Sequence, residues 1–372
     1  MKKIVVNALQ YKKNSSGIGV LIRELFGRYT RKTMRECQVI LPHDGPDFLG
    51  VSNALQFRCP WNHSQGVRRI LFQSFQMGLK YCRNAALLTT DSKVPFFLPR
   101  DCEVIPLVTD LAVYRMQDVY QWSRVFLWKL QYRYLKKKAK NFLAISEFTK
   151  SEMVALMDLS PEQIHVIPCA ASEEYYRTPD EKQIFELRKR YQLPDRFLLF
   201  VGNFNPRKNL ERMIRAFNLA KSDGYFDCDL VIAGEQGWKF DREQALSGVQ
   251  NRDAIHFIGF VPDEDMAALY SAAELFVFPT LYEGFGIPVI EAQLCGTPVL
   301  TSNCSSLPEV GGEGAFYVDP YDIQAISNGL IQMTQDESLR KELVQKGYEN
   351  AKCFSWEKSA SLLNDVLEEI LG

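Results

Sequence analysis

Glu283 and Glu291 are separated by seven residues within LFVFPTLYEGFGIPVIEAQLCGTPVLT (275–301), and they are the side chains best placed to do chemistry in this 372-residue chain. The apolar run 275–278 stops at a proline, as a buried strand does. Glu283, Gly284, Phe285, Gly286 and Ile287 then lead into a helix, with Pro288 suited to its first turn and Gly296 to its C-terminal cap. Backbone N–H groups at the positive end of a helix dipole make a site for phosphate. Glu291, inside the first turns, is placed to accept hydrogen bonds from a ribose, and Glu283 to touch whatever the phosphate carries. The same stretch also reads as an ordinary strand–helix unit with two solvated glutamates.

A second constellation, GNFNPRKNLERMIRAF, follows the apolar run 197–201. Gly202 permits a turn, Pro206 fixes the backbone, and Arg207 and Lys208 stand where the next helix is expected to begin. Two cations there neutralise a diphosphate and the negative charge that develops on it as it leaves. The plainer reading is a solvated basic turn. Near the N-terminus, Asn14-Ser-Ser-Gly17-Ile-Gly19 lies between a strand and a helical stretch. Its glycines either let the backbone approach a phosphate or sugar closely, or simply make a turn. Thr109 and Asp110 follow the run 103–108, and Asp110 either faces a ligand or caps a helix. Ser146 reads equally as a helix N-cap. Gly259 and Phe260 close the run 255–258, to hold a base or merely to end a strand. None of His43, His63, His165 and His256 has a convincing catalytic setting.

The spacing EGFGIPVIE followed by GTPV resembles the signature of retaining glycosyltransferases of family 4, and PRKN is similar to a mannosyltransferase-like subgroup of it. The resemblance covers nearly the whole chain and is strongest over 197–320. It implies the GT-B fold: two Rossmann-like, doubly wound domains facing a cleft, with the C-terminal helix crossing back onto the first. It implies a hexose moved from a GDP- or UDP-linked sugar to a glycan or lipid-linked acceptor in cell-surface polysaccharide synthesis, with retention of configuration. Arg207, Lys208 and the amides of Gly284, Phe285, Gly286 and Ile287 would hold the diphosphate, with Gly202 turning the chain. Glu291 would hold the ribose and Glu283 would orient the sugar. Gly259 and Phe260 would flank the base, and Gly17 and Gly19 would face the donor phosphate and the acceptor. The chain departs from the pattern at Asn203, where many members carry arginine, and at Thr109, where many carry a histidine that contacts the sugar; Asp110 is the candidate to replace it. Arg207, Lys208 and the helix N-terminus already supply a positive field for the diphosphate, so no metal or cofactor is expected. A glycoside hydrolase or phosphorylase, and a catalytically silent sugar-nucleotide-binding partner, are the rival readings.

Elements that position these residues alternate along the chain. Strands are expected at 4–9, 39–41, 86–89, 103–108, 142–145 and 165–167, then at 197–201, 230–233, 255–258, 275–278, 298–301 and 315–318. Strand–helix alternation in two blocks implies two parallel-sheet α/β domains, read here as 1–178 for the acceptor and 179–354 for the nucleotide sugar. The segment 355–372 is expected to return as a helix to the first domain. Residues 1–182 hold 27 Lys and Arg against 17 Asp and Glu, and the remainder hold 17 against 28. A basic half calls for an anionic partner. The stretch 119–140 mixes Trp122, Phe126, Trp128, Tyr132 and Tyr134 with Arg133, Lys136, Lys137 and Lys140 on one helical face. That describes a helix lying on an anionic membrane, or an ordinary helix with a basic end. Nucleic acid is not the expected partner. Nine scattered cysteines without CxxC pairs fit a reducing compartment. With no apolar run of transmembrane length, a cytoplasmic location, peripheral on the inner membrane face, is the expectation.

Overall fold

The computed structural model describes residues 1–11, 17–47, 54–61, 66–90, 94–176, 180–222, 224, 227–237 and 239–372. Asn14, Ser15 and Ser16 of the glycine loop, and Thr178 with Pro179 at the expected domain boundary, lie outside them. The chain divides into two compact units, Met1–Cys169 with Ser355–Gly372, and Ala170–Phe354. The division precedes the 178/179 position read from composition. Tyr175 explains the difference: it is buried against Tyr270, with ring centroids 6.0 Å apart, so this polar-looking segment is anchored in the second unit.

The first unit holds β1 (Lys3–Asn7), β2 (Cys37–Leu41), β3 (Ala54–Arg58), β4 (Ala85–Thr90), β5 (Glu103–Val108), β6 (Phe142–Ala144) and β7 (Ile164–Val166). They form one parallel sheet in the order β3-β2-β1-β4-β5-β6-β7. The second unit holds β8 (Phe197–Val201), β9 (Asp229–Ala233), β10 (Ile255–Gly259), β11 (Leu275–Phe278), β12 (Val299–Ser302) and β13 (Phe316–Val318), in the order β10-β9-β8-β11-β12-β13, again all parallel. Both orders are doubly wound, with a switch point where the winding reverses. Runs such as FLLFV and LFVF are apolar throughout because helices cover both faces of a parallel sheet. The strand β3 has no counterpart among the sequence expectations. It is an edge strand with Leu55 and Arg58 exposed, so it lacks an apolar run.

The C-terminal helix, Trp356–Leu371, packs on the first unit as expected, burying Trp356, Ala360, Leu363, Val366 and Leu367. Leu362 is exposed, because the buried face steps through 356, 360, 363 and 367 and leaves it to one side. Arg35, its side chain 1% accessible, grips Glu368 with Nε at 2.7 Å and Nη2 at 2.6 Å. Arg35 is buried but Glu368 is 44% accessible, so solvent screens the pair and its loss costs less than that of a fully buried one. Glu368→Ala is expected to destabilise the first unit by about 1–2 kcal/mol, read as a lower urea midpoint; an unchanged midpoint would show that the helix is held by its apolar face alone.

Candidate active site

The parallel neighbours β8 and β11 pair as Leu275↔Leu198 and Phe276↔Leu199, so the loops after them emerge side by side at the switch point. One loop is 202–208, and the other is 279–286. The first ends in a single 3-10 turn, Pro206–Lys208, and is separated from the helix Leu210–Ser222 by Asn209 in the left-handed conformation, φ 59°. Arg207 and Lys208 thus stand a turn ahead of that helix, not at its start as the sequence suggested. Asn209 is buried and donates Nδ2 to the Pro279 carbonyl at 2.9 Å and the Pro320 carbonyl at 2.7 Å. The Leu281 N–H donates to the Arg207 carbonyl at 2.8 Å. These bonds lock one loop onto the other. Sequence reading passed over Asn209; the tolerance of Asn for the left-handed region was the available signal.

This juxtaposition brings Lys208 to Glu283. Lys208 Nζ lies 2.8 Å from Oε1 and 4.6 Å from the Phe278 ring centroid, while Arg207 Nη1 lies 3.7 Å from Oε2. Burial alone would raise the Glu283 carboxyl, but Arg207 and Lys208 outweigh it and hold it below the ordinary value. Glu283 is therefore an anion in a largely dry setting, gripped by two cations. Its backbone is fixed from the segment after β12: its N–H donates to Ser305 Oγ at 3.2 Å, and Ser306 Oγ donates to its carbonyl at 3.0 Å and to that of Phe285 at 2.6 Å.

Gly286 starts the helix Ile287–Leu294 with φ 114°, a conformation L-residues avoid, and a Cβ there would meet Leu307 Cδ2 at 2.8 Å. Pro288 lies in the first turn and Gly296, φ 71°, follows the last, as read from sequence. Phe285 turns inward against Phe354, centroids 5.6 Å apart, so its backbone is what it can offer a ligand. Glu291 receives a hydrogen bond from Tyr270 Oη at 3.0 Å. Burial raises its carboxyl to about 7, against the lowering effect of the Tyr270 and Tyr175 hydroxyls. Two glutamates on one loop–helix unit thus differ in charge near neutral pH, a contrast that spacing alone does not reveal.

The ends of β8, β9 and β10 carry Gly202, Gly234 and Gly259, laced by Gly202 N–H to Ala233 O at 3.0 Å and Gly234 N–H to Gly259 O at 2.8 Å. The close approach falls on Gly234, where a Cβ would meet the Gly202 carbonyl oxygen at 2.1 Å. Beside Gly234 and Gly259 is a cavity of about 490 Å³ bordered by Phe204, Phe240, Phe257, Arg242 and Phe260. Phe260 is half exposed there, and Arg242 sits 4.3 Å over the Phe257 ring.

Asp110, Gly17 and Gly19 belong to the first unit. Asp110 follows β5, and its Oδ1 accepts from the Ala112 N–H at 3.0 Å, a tight turn just ahead of the short helix Ala112–Arg115, whose N-cap is Leu111. Ser146 caps the helix Glu147–Met157 by accepting from the Thr149 N–H. Gly17, φ 50°, precedes the helix starting at Ile18, and Gly19 is buried in its first turn.

Residues 183–350, nearly all of the second unit, match the family described as glycosyl transferases group 1. Over 273 residues the chain is 35% identical to O-antigen chain mannosyltransferase B of Escherichia coli, covering 70% of this chain and 69% of that one. The chain belongs to the group 1 glycosyl transferases. This glycosyltransferase is also 34% identical, over 63% of its length, to the serotype-specific mannosyltransferase WbdA of Escherichia coli, of which it spans only 29%. Among solved structures it resembles sucrose-phosphate synthase from Thermosynechococcus elongatus along 100% of this chain and 99% of that one, with a TM-score of 0.77 at 19% identity. Its two parallel-sheet units are those of the GT-B fold.

Proposed function

We propose that this glycosyltransferase is a retaining, family-4-like hexosyltransferase of the PRKN/EGFG type, moving a mannose-type hexose from a GDP- or UDP-linked donor. The acceptor is a hydroxyl of a glycan or lipid-linked saccharide in cell-surface polysaccharide synthesis. The observation that carries this reading is the Lys208–Glu283–Arg207 cluster at the switch point of the second unit, where doubly wound sheets take nucleotides. Mannosyl transfer by the Escherichia coli relatives supports the choice of sugar.

In this mechanism Lys208 and Arg207, with the loop amides of 284–287, meet the donor diphosphate. Charge collects on the phosphate as the glycosidic bond stretches, and cations fixed before the reaction stabilise that state more than the ground state. Glu283 orients the sugar through its hydroxyls, Glu291 accepts from the ribose, and the cavity beside Phe260 takes the base. The acceptor hydroxyl attacks the face the leaving group vacates and gives its proton to the phosphate. Asp110, Gly17 and Gly19 belong to acceptor binding by the first unit, on the cytoplasmic side of the membrane. A retaining glycosidase needs a carboxylate free to attack, whereas Glu283 is paired with Lys208 at 2.8 Å and faces Arg207 at 3.7 Å; the silent-partner reading finds no support among relatives that are transferases.

The test is a thermal-shift panel of GDP- and UDP-sugars, followed by transfer assays in EDTA with the product's anomeric configuration read by NMR. A ligand at a hundredfold excess over Kd adds about 2.7 kcal/mol to stability, so the true donor raises the melting temperature visibly. Retention and full activity in EDTA are expected, since Arg207 and Lys208 supply the positive field. An inverted product, or activity that vanishes in EDTA and returns with a divalent ion, overturns the mechanism.

A further inference from the structure

The helical stretch 66–81 is apolar on two faces. One face buries Phe72, Met77 and Tyr81. The other leaves Val67, Ile70, Phe75 and Leu79 in solvent, at the helical spacing that normally marks a core-facing stripe. The stripe does not end at the helix. Phe75 meets Phe96 and Phe97 at 5.9 and 5.7 Å, and Phe96 meets Tyr134 at 5.6 Å. The loop carrying Phe96 and Phe97, 47% and 53% exposed, is fastened on both sides. The Phe96 N–H donates to the Ser74 carbonyl at 2.8 Å, and Tyr134 Oη donates to the Phe96 carbonyl at 2.8 Å. At Gly78 the helix lies so close to this loop that a Cβ would strike the Phe97 carbonyl oxygen at 2.1 Å. Beyond Tyr134 the helix Trp122–Lys138 adds Trp122, Phe126 and Leu130, all exposed.

Charge selects the occupant. Residues 66–81, 94–98 and 122–140 contain ten Lys and Arg and no Asp or Glu. A second copy of this chain would bring cations against cations. A nucleic acid would use the cations but leave the apolar side chains idle. Exposed aromatic and aliphatic groups set among lysine and arginine match a bilayer whose surface is anionic. The lysine face read from sequence needs correction: Lys136 is tied to Asp158 at 2.8 Å, and Lys140 lies beyond the helix end.

We propose that the surface formed by 66–81, Phe96, Phe97 and the helix Trp122–Lys138 docks the first unit on an anionic membrane, with Phe75, Phe96 and Phe97 entering the headgroup layer. The helix stripe and the phenylalanine loop supply the insertion, and Arg68, Lys137 and Lys138 the attraction. The assignment does not depend on which donor the second unit binds.

Full-length protein is sedimented with vesicles of phosphatidylcholine containing 30% phosphatidylglycerol, and with phosphatidylcholine alone, at low and high salt. Binding to the anionic vesicles is expected, weakening as salt screens the attraction over about 8–10 Å. The Phe75→Ser, Phe96→Ser, Phe97→Ser triple variant is expected to bind at least about tenfold more weakly, since each lost ring removes apolar area from the membrane contact. Lys137→Glu with Lys138→Glu is expected to do the same at low salt only. Melting temperature and donor-induced thermal shift serve as folding and donor-site controls: a small fall in melting temperature is expected in the triple variant from its lost ring contacts, while the donor-induced shift should not move in either variant, because these side chains lie outside the second unit. Wild-type protein remaining in the supernatant with anionic vesicles at low salt overturns the proposal and points to an acidic protein partner. Undiminished binding by the triple variant overturns it as well.

Discussion

Lys208→Ala is expected to lower kcat for sugar transfer about 10²–10³-fold, with the donor KM within a few-fold of wild type. The ammonium acts on charge that appears on the phosphate only as the bond to the sugar breaks, so its loss falls on the chemical step. The same change has a structural cost that separates this assignment from a merely surface lysine. Lys208 is 12% and Glu283 9% accessible at the side chain, and their atoms are 2.8 Å apart. Without Lys208 a buried carboxylate is left to the looser Arg207 contact at 3.7 Å. Losing one partner of a buried pair costs about 3–5 kcal/mol; with Arg207 remaining, about 2–3 kcal/mol is expected.

The pH dependence follows from the sign of the shift. The Glu283 carboxyl is held below its ordinary value in the folded state, so its stabilising contribution is present above the unfolded-state value and is lost as pH falls through the folded one. In Lys208→Ala burial is less strongly opposed, the folded carboxyl rises, and that contribution shrinks. Adding Glu283→Gln to Lys208→Ala should restore much of the stability while leaving transfer dead. Kinetics with urea melts of the two variants decide the matter, and a Lys208→Ala enzyme with normal kcat and normal midpoint would remove Lys208 from the mechanism.

Glu291→Gln is expected to make the protein more stable and the enzyme worse. The folded carboxyl stands at about 7 because burial disfavours its charge. Between the ordinary carboxylate value and about 7 the folded state binds more protons than the unfolded one, so wild-type stability declines as pH rises through that window. Gln is neutral throughout and keeps an oxygen to accept from Tyr270. The variant should match wild type near pH 4.5 and exceed it at pH 8 by on the order of 3 kcal/mol, at 1.36 kcal/mol for each pH unit of displacement. Donor binding moves the other way. A carboxylate that accepts from a ribose contributes about 1.5–3 kcal/mol through a charged hydrogen bond, so the donor KM should rise roughly ten- to a hundredfold at pH 8 with kcat less affected. Urea melts at the two pH values and donor titrations measure both. If the variant is less stable than wild type at pH 8, Glu291 is a structural anchor and the burial argument fails.

Local chemistry alone determined a good deal of this protein. Apolar runs such as 197–201 and 275–278 announce buried parallel strands because side-chain period and turn residues are written over a few positions. Pro288, Gly286 and Gly296 mark the start and end of one helix for the same reason: each satisfies a backbone requirement within one turn. Apolar spacing at Trp356, Leu363 and Val366 is likewise that of a helix, whereas its return to the first unit came from the family resemblance and not from local pattern. The edge strand Ala54–Arg58 escaped because exposure removes the apolar pattern that betrays a strand.

Tertiary structure decided what each candidate side chain is doing. That β8 neighbours β11 is a fact of strand order, and it alone brings Lys208 within 2.8 Å of a carboxylate 75 positions away. The opposite charge preferences of Glu283 and Glu291 arise from what surrounds them, two cations in one case and burial only partly offset by the Tyr270 and Tyr175 hydroxyls in the other; sequence spacing carries no information about dielectric or partner. The same holds for the outward stripe on 66–81. Its spacing is that of a buried face, and only the packing of the opposite face against the sheet shows that a second apolar face is left in solvent.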